Sequence, residues 1–397
     1  MIARLAWRFL TEPDPRLLAR FAWQFGWQGG QSVARFRRRA AKGPAFPAFL
    51  FLSITNECNL SCQGCWVTPT QPPRRLPIET LRRIVDAARR RGSRFFGLLG
   101  GEPLLHPQAL DLAAEFRDCY FQLFTNGHLL DDGVARRLRR LGNVTPLISI
   151  EGRADVSDER RGGERVLERS LAALERCRRH RLIAGVATSL CRSNVDDLAT
   201  DAFVDDMVRR GALYLWYYIY RPVGPRPSPE LALSEEQILR VRRFLVDARD
   251  RAPALIVDAY WDHEGRALCP AAIGISHHVG PAGDVEPCPV IQFAKDRIDG
   301  AGDPAEIIAG SDFLRTARAR LAACGGGCIL LERPDALLEF VRREGARDTS
   351  GRGAGFDELA ALAPRPSHRQ PGREVPERHA LYRYMKSRWF LGMGAYG

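Results

Sequence analysis

From about residue 48 to residue 219 the chain repeats one unit six times: a short apolar run, then a helical pattern. The runs fall near 48–54, 94–99, 119–124, 144–150, 182–189 and 212–219. Helical patterns lie between them near 77–91, 107–117, 128–141, 164–179 and 194–210, and another follows at 234–250. Strand–helix alternation of this kind predicts a parallel sheet covered by helices. Six units suit an open, partial (β/α)6 TIM-like barrel better than a closed eight-stranded one. In such barrels the functional groups gather at the C-terminal ends of the strands. Of the 397 residues 45% are hydrophobic, ample for a sizeable core, and 27% charged with 9% aromatic excludes wholesale disorder. No apolar run approaches the ~18 residues of a membrane span. Arg4, Arg8 and Glu12 also interrupt any signal-peptide core. A cytoplasmic chain is expected, with a peripheral contact at the inner membrane face as the variant.

Four segments follow from texture. Residues 1–43 are basic and aromatic; 44–255 carry the barrel; 256–332 are Gly/Pro-rich and Cys-bearing, like a small metal-stapled module. Residues 333–397 hold a helix, a linker-like stretch (343–378) and a tail with Tyr382, Tyr384, Trp389, Phe390 and Tyr396. The net charge of +12 is uneven, because residues 1–43 alone contribute +7. There Ile2, Leu5, Phe9, Leu17, Leu18, Phe21 and Phe25 recur at helical spacing, beside Trp7, Trp23 and Trp27. Two readings stand: helices lying on an anionic bilayer, or a collar packed on the barrel. The charge favours the bilayer and tilts the expected substrate towards a lipid-like or membrane-proximal molecule. Almost all the basic residues are Arg, a skew that fits a GC-rich genome. With no aromatic–basic RNA motif, no nucleic-acid partner is expected.

Clustered cysteines in a chain without a secretion signal suggest metal ligation before disulfides. Cys58-Asn59-Leu60-Ser61-Cys62-Gln63-Gly64-Cys65-Trp66 follows the first strand directly. Three thiolates this close can hold one face of a cubane iron–sulfur cluster and leave a fourth iron open for a ligand. A zinc knuckle is the alternative. Cys119, Cys177 and Cys191 read as small buried apolar residues.

The Cys-x3-Cys-x2-Cys-aromatic loop resembles that of the radical SAM superfamily. Gly100-Gly101-Glu102-Pro103 after the second strand resembles its GGE motif, which holds the amino group of S-adenosylmethionine (SAM). Thr125-Asn126-Gly127 after the third resembles its TNG segment. Ser149-Ile150-Glu151-Gly152 ends the fourth strand, where the family often has Ser-x-Asp-Gly near the ribose. Arg160-Arg161-Gly162 resembles an Arg-Gly step linked to the methionine carboxylate, with Arg161 taken as the match. The resemblance covers about residues 48–220. It implies a [4Fe–4S] cluster on Cys58, Cys62 and Cys65, and a SAM pocket formed by Trp66, Gly100, Gly101, Glu102, Asn126, Ser149 and Arg161.

Cys269, Cys288, Cys324 and Cys328, with the turn Gly280-Pro281-Ala282-Gly283-Asp284, resemble the SPASM auxiliary-cluster module. Four cysteines instead of about seven suggest its shortened, one-cluster "twitch" form, holding a second, auxiliary [4Fe–4S] cluster; a four-thiolate zinc site is the alternative. His277 and His278 read as turn residues. Asp258, Tyr260, Trp261, Asp262 and His263 are candidates for a base or positioning group. The resemblance implies an oxidoreductase that cleaves SAM to a 5′-deoxyadenosyl radical and abstracts hydrogen from an unactivated C–H bond. It also implies an electron donor such as flavodoxin or ferredoxin. A peptide maturase, or a scaffold without turnover, is the alternative. The 43 N-terminal residues are too few for a leader-binding domain.

Overall fold

The computed structural model describes residues 2–43 and 45–388; Trp389, Phe390 and Tyr396 lie outside the described residues. All six apolar runs form strands: β1 Phe49–Thr55, β2 Phe95–Gly100, β3 Tyr120–Thr125, β4 Val144–Ser149, β5 Gly185–Leu190 and β6 Tyr214–Ile219. They are buried almost throughout, as strands covered on both faces must be. The sheet extends further than expected. β7 (Leu255–Val257) pairs with β6, β8 (Ser276–Val279) pairs with β1, and β9 (Val285–Glu286) returns antiparallel to β8. The order is β7-β6-β5-β4-β3-β2-β1-β8-β9, and every neighbour except the β8–β9 pair runs parallel. The edge strands β7 and β9 do not pair with each other, so this is an open, partial barrel.

The covering helices begin where side chains satisfy their first backbone N–H groups. Asp131, Thr200 and Ser234 accept from Val134, Phe203 and Gln237. A helix at Ala154–Arg161 was not expected, because its sequence has no apolar face to betray it.

A second core joins Ala271, Cys288, Phe293, Phe313, Cys328, Leu337, Phe340, Ala346 and Leu359. Its members run past 332, and the stretch 343–378 supplies part of it together with the helix Gly355–Ala360. The linker expected there is instead packed structure, and the small module extends to about residue 362. Beyond it the chain is strapped to the barrel by buried ions. Glu377 pairs with Arg242 at 2.7 Å and with Arg249, while Lys386 reaches Asp258 at 2.9 Å.

Residues 2–40 form α1 (Ile2–Thr11), α2 (Pro15–Arg20), a π-helical turn (Phe21–Gln28) and α3 (Gly29–Ala40). All their contacts described here fall at the N-terminal ends of the strands. Phe21 meets Tyr120, and Phe25 meets Phe95 and Tyr120. Arg8 donates to the Pro253 carbonyl (2.9 Å) and Ser32 to that of Gly92 (2.6 Å). Phe9, Phe21 and Phe25 thereby plug the lower mouth of the barrel against Tyr120, Gln122, Tyr214 and Trp216. The segment is a collar.

Candidate active site

β1 ends at Thr55, and the cysteine loop that follows is fixed at several points. The Asn56 amide donates to Thr68 O and Thr70 Oγ1 and accepts from Arg74 N (2.7–2.9 Å), tying the two ends of the loop together. From β2, Gly101 N donates to Thr55 O (2.9 Å) and Glu102 N to Glu57 O (2.8 Å). That approach requires the double glycine: a Cβ at 100 or 101 would lie 2.1 or 2.0 Å from the carbonyl oxygen of Thr55 or Glu57. Asn126 Nδ2 donates to Asn59 Oδ1 (2.7 Å), and Ser61 N and Gln63 N donate to the carbonyls of Arg161 (3.2 Å) and Arg160 (2.8 Å). The GGEP, TNG and Arg160-Arg161 motifs therefore all touch the cysteine loop.

A cavity of about 200 Å3 opens at the C-terminal ends of the strands. Cys58, Cys62, Cys65, Trp66, Gly100, Gly101, Asn126, Ser149 and Arg161 all line it. Glu102 does not. Its buried carboxylate accepts from Thr125 Oγ1 (2.8 Å), Asn126 N (2.8 Å) and Leu104 N (3.1 Å), so it locks the GGEP turn to the TNG turn from behind the wall. Sequence reading missed other lining residues, notably Thr188 on β5, Tyr218 on β6, Arg221 beyond β6, and Val290. The strand-end rule that picked out Ser149 would have reached the first three.

The Glu151 carboxylate faces both arginines, Arg160 at 3.2 Å and Arg161 at 3.8 Å. Burial works against the charge of Arg161, but Cys62, Glu151, Cys58 and Cys65 around it hold it protonated. Arg160 also donates to the Cys191 thiol, so that buried cysteine braces the site. Of the strand-end candidates, Asp258 is locked among Arg249, Arg242 and Lys386, fully buried and off the cavity wall. None of Asp258, Tyr260, Trp261, Asp262 and His263 lines the cavity. His277 and His278 lie on β8 rather than in a turn. His277 contacts Arg318, and His278 bridges Ser53 (2.7 Å) and Glu286 (2.6 Å).

The donor set suits an iron–sulfur cluster. Burial pushes the Cys58 thiol up to about 11 and Cys65 up to about 12, and a bound cation would draw both back towards thiolate. The buried polar atoms on lining residues that have no protein partner include Trp66 Nε1, Thr188 Oγ1 and the Nε atoms of Arg160 and Arg161, which fits a polar ligand beside the cluster.

Cys269, Cys288 and Cys328 border a second, smaller cavity with Arg221, Tyr260 and His368. Cys324 does not join them; it lines an adjoining outward cleft. Arg221 and Val290 line both cavities and form the wall between them. Arg221 has no carboxylate partner among the described residues; it meets Tyr260, whose hydroxyl lies 3.4 Å away and whose ring lies 5.3 Å from the guanidinium, and the Cys328 thiol. Its Nε is buried and lacks an acceptor. A cation so placed suits an anion, which the neighbouring thiols of Cys269, Cys288 and Cys328 would supply once ionised.

The fold and site define a partial-barrel protein built to hold a metal–sulfur group and a small polar ligand at one mouth. Residues 52–200 match the family model described as "Radical SAM superfamily". The family uses a [4Fe–4S] cluster and SAM. Fe-coproporphyrin III synthase of Methanosarcina barkeri is 25% identical over 53% of this chain, and the chain spans 55%, about half, of that relative. The PqqA peptide cyclase of Streptomyces rochei is 29% identical over 61% of this chain and 69% of its own. The fold is that of Streptococcus suis SuiB, solved bound to the precursor peptide SuiA, with TM-score 0.60, 15% identity, and 73% and 70% of the two chains covered. The basic helices of the collar lie at the pole opposite the cavity.

Proposed function

We propose that the chain is a radical SAM enzyme acting on a peptide, with an auxiliary cluster on Cys269, Cys288, Cys328 and a rearranged Cys324. The observation that carries the enzymatic reading is the single cavity that gathers three thiols, the GG and TNG turns, Ser149 and Arg161. A scaffold without turnover would need no such ligand cavity. The PqqA peptide cyclase and the SuiB–SuiA structure support the choice of substrate class. When bound, the reduced cluster and SAM supply a 5′-deoxyadenosyl radical for hydrogen abstraction.

The residues of the chain do the positioning. Arg161, held by Glu151, offers a guanidinium to the methionine carboxylate, and Asn126 and Ser149 offer hydrogen bonds to the rest of the ligand. The apolar Leu99, Phe124, Ile219 and Val223 narrow the wall and keep water from the reacting carbon. Thr188, Tyr218 and Arg221 face the side left for substrate. A one-electron donor such as flavodoxin or ferredoxin is required, and the auxiliary cluster beyond Arg221 would accept an electron from substrate.

The test is anaerobic reconstitution with iron, sulfide, SAM and a reductant. Release of 5′-deoxyadenosine is expected, and it should rise when the correct precursor peptide is added. A short peptide gene beside this one would supply that candidate. No 5′-deoxyadenosine from protein holding its full iron complement would refute the enzymatic reading.

A further inference from the structure

Six large hydrophobic side chains are strongly exposed among the described residues: Ile2, Trp7, Leu10, Trp23, Trp27 and Tyr384. Five lie in the first 27 residues, on the collar. The sixth joins them, since Tyr384 shares a surface groove with Trp27, Arg37, Arg38 and Arg388. Single exposed apolar residues are ordinary, but three tryptophans gathered on one pole are not.

The charge around them has one sign. Both acids of the segment are already engaged, Glu12 with Arg8 and Asp14 with Arg139. Arg4, Arg16, Arg35, Arg37, Arg38, Arg39 and Lys42 are exposed. Arg39 and Arg37 donate to the carbonyls of Arg91 and Ser387.

We propose that this pole docks on an anionic lipid bilayer. Indole rings settle at the headgroup level, with the ring in the acyl boundary and the N–H in water, and arginines beside them reach phosphates. The cationic rim, whose two acids are already paired, matches anionic headgroups. Because every strand of the barrel from β1 to β8 runs parallel, the collar marks one pole and the cavity the other, separated by a strand length of roughly 20 Å. The docked protein therefore turns its active mouth to the cytosolic side. Docking holds whatever the substrate is, so its failure and that of the enzymatic reading are separable.

The test uses the full chain with vesicles of phosphatidylcholine, with and without phosphatidylglycerol. Co-sedimentation with the anionic vesicles is expected, weakened by salt, together with a blue shift of tryptophan emission. The triple variant W7S/W23S/W27S and, separately, R37Q/R38Q/R39Q should each lower the bound fraction by about tenfold or more. Both leave buried contacts untouched, and circular dichroism checks that they fold. Equal pelleting with and without phosphatidylglycerol, or variants that bind like the parent, would overturn the proposal. So would emission that vesicles do not shift, a result that would leave the patch to a protein partner.

Discussion

A methyl group at residue 101 would sit 2.0 Å from the Glu57 carbonyl oxygen and 2.9 Å from Cys58 Cβ. Gly101→Ala must therefore push the cysteine loop away from β2. We expect it to cost about 1–3 kcal/mol in chemical denaturation and to lower iron retained after reconstitution, a pairing that a purely local strain would not give. Cys58→Ala, Cys62→Ala and Cys65→Ala should each reduce 5′-deoxyadenosine to background, since two remaining thiolates cannot hold an open-site cluster. The triple alanine variant should still retain one cluster's iron if the auxiliary site is loaded; zinc there instead would make that site structural. In that background Arg221→Met is expected to leave the metal-free protein no less stable, because it removes a cation with no carboxylate partner. Iron retention should nonetheless fall. The cysteines and glycines were legible in the sequence because only those residue types do those jobs. Thr188 and Arg221 were not, because a threonine or arginine at a strand end is chemically ambiguous until its neighbours are known.

At the scale of elements, β1 to β6 could be read because each is apolar throughout and bounded by helical patterns. β7 is apolar but only three residues long, and β8 reads Ser-His-His-Val, so neither carries a run long enough to read as a strand; each is a strand because the edge of the sheet offers it partners. The C-terminal strap was hidden for a related reason: its partners are distant in sequence, Asp258 with Lys386 and Arg242 with Glu377. Asp258→Asn would leave Arg242, Arg249 and Lys386 buried with Glu377 alone. We expect a loss of about 3–5 kcal/mol and early proteolysis near the helix Ala380–Ser387. Burial alone would raise the Asp258 carboxyl, yet Lys386, Arg249 and Arg242 hold it far below its ordinary 3.8. Its contribution is thus complete above that pH and is lost as pH falls through the depressed folded value. Denaturation midpoints measured down into strong acid should fall more steeply for the parent than for Asp258→Asn.

For the molecule as a whole, the collar was half legible. Its amphipathic spacing announced helices, but the same spacing serves a bilayer or a barrel, and the structure uses one face for the barrel and exposes the other. Deleting residues 1–43 would bare Phe95, Tyr120 and the lower mouth. We therefore expect the truncated protein to be recovered mainly as aggregate, by size-exclusion chromatography after expression. The plug has a kinetic corollary. With Phe9, Phe21 and Phe25 stopping the lower end, nothing enters the cavity from that pole, and its open end lies at the strand C-termini. Whatever binds deepest, against the cysteine loop, has to enter first and cannot leave until the larger molecule above it has gone. Turnover should then follow a compulsory order, in which an excess of the second reactant traps the first in place and slows its exchange with solution.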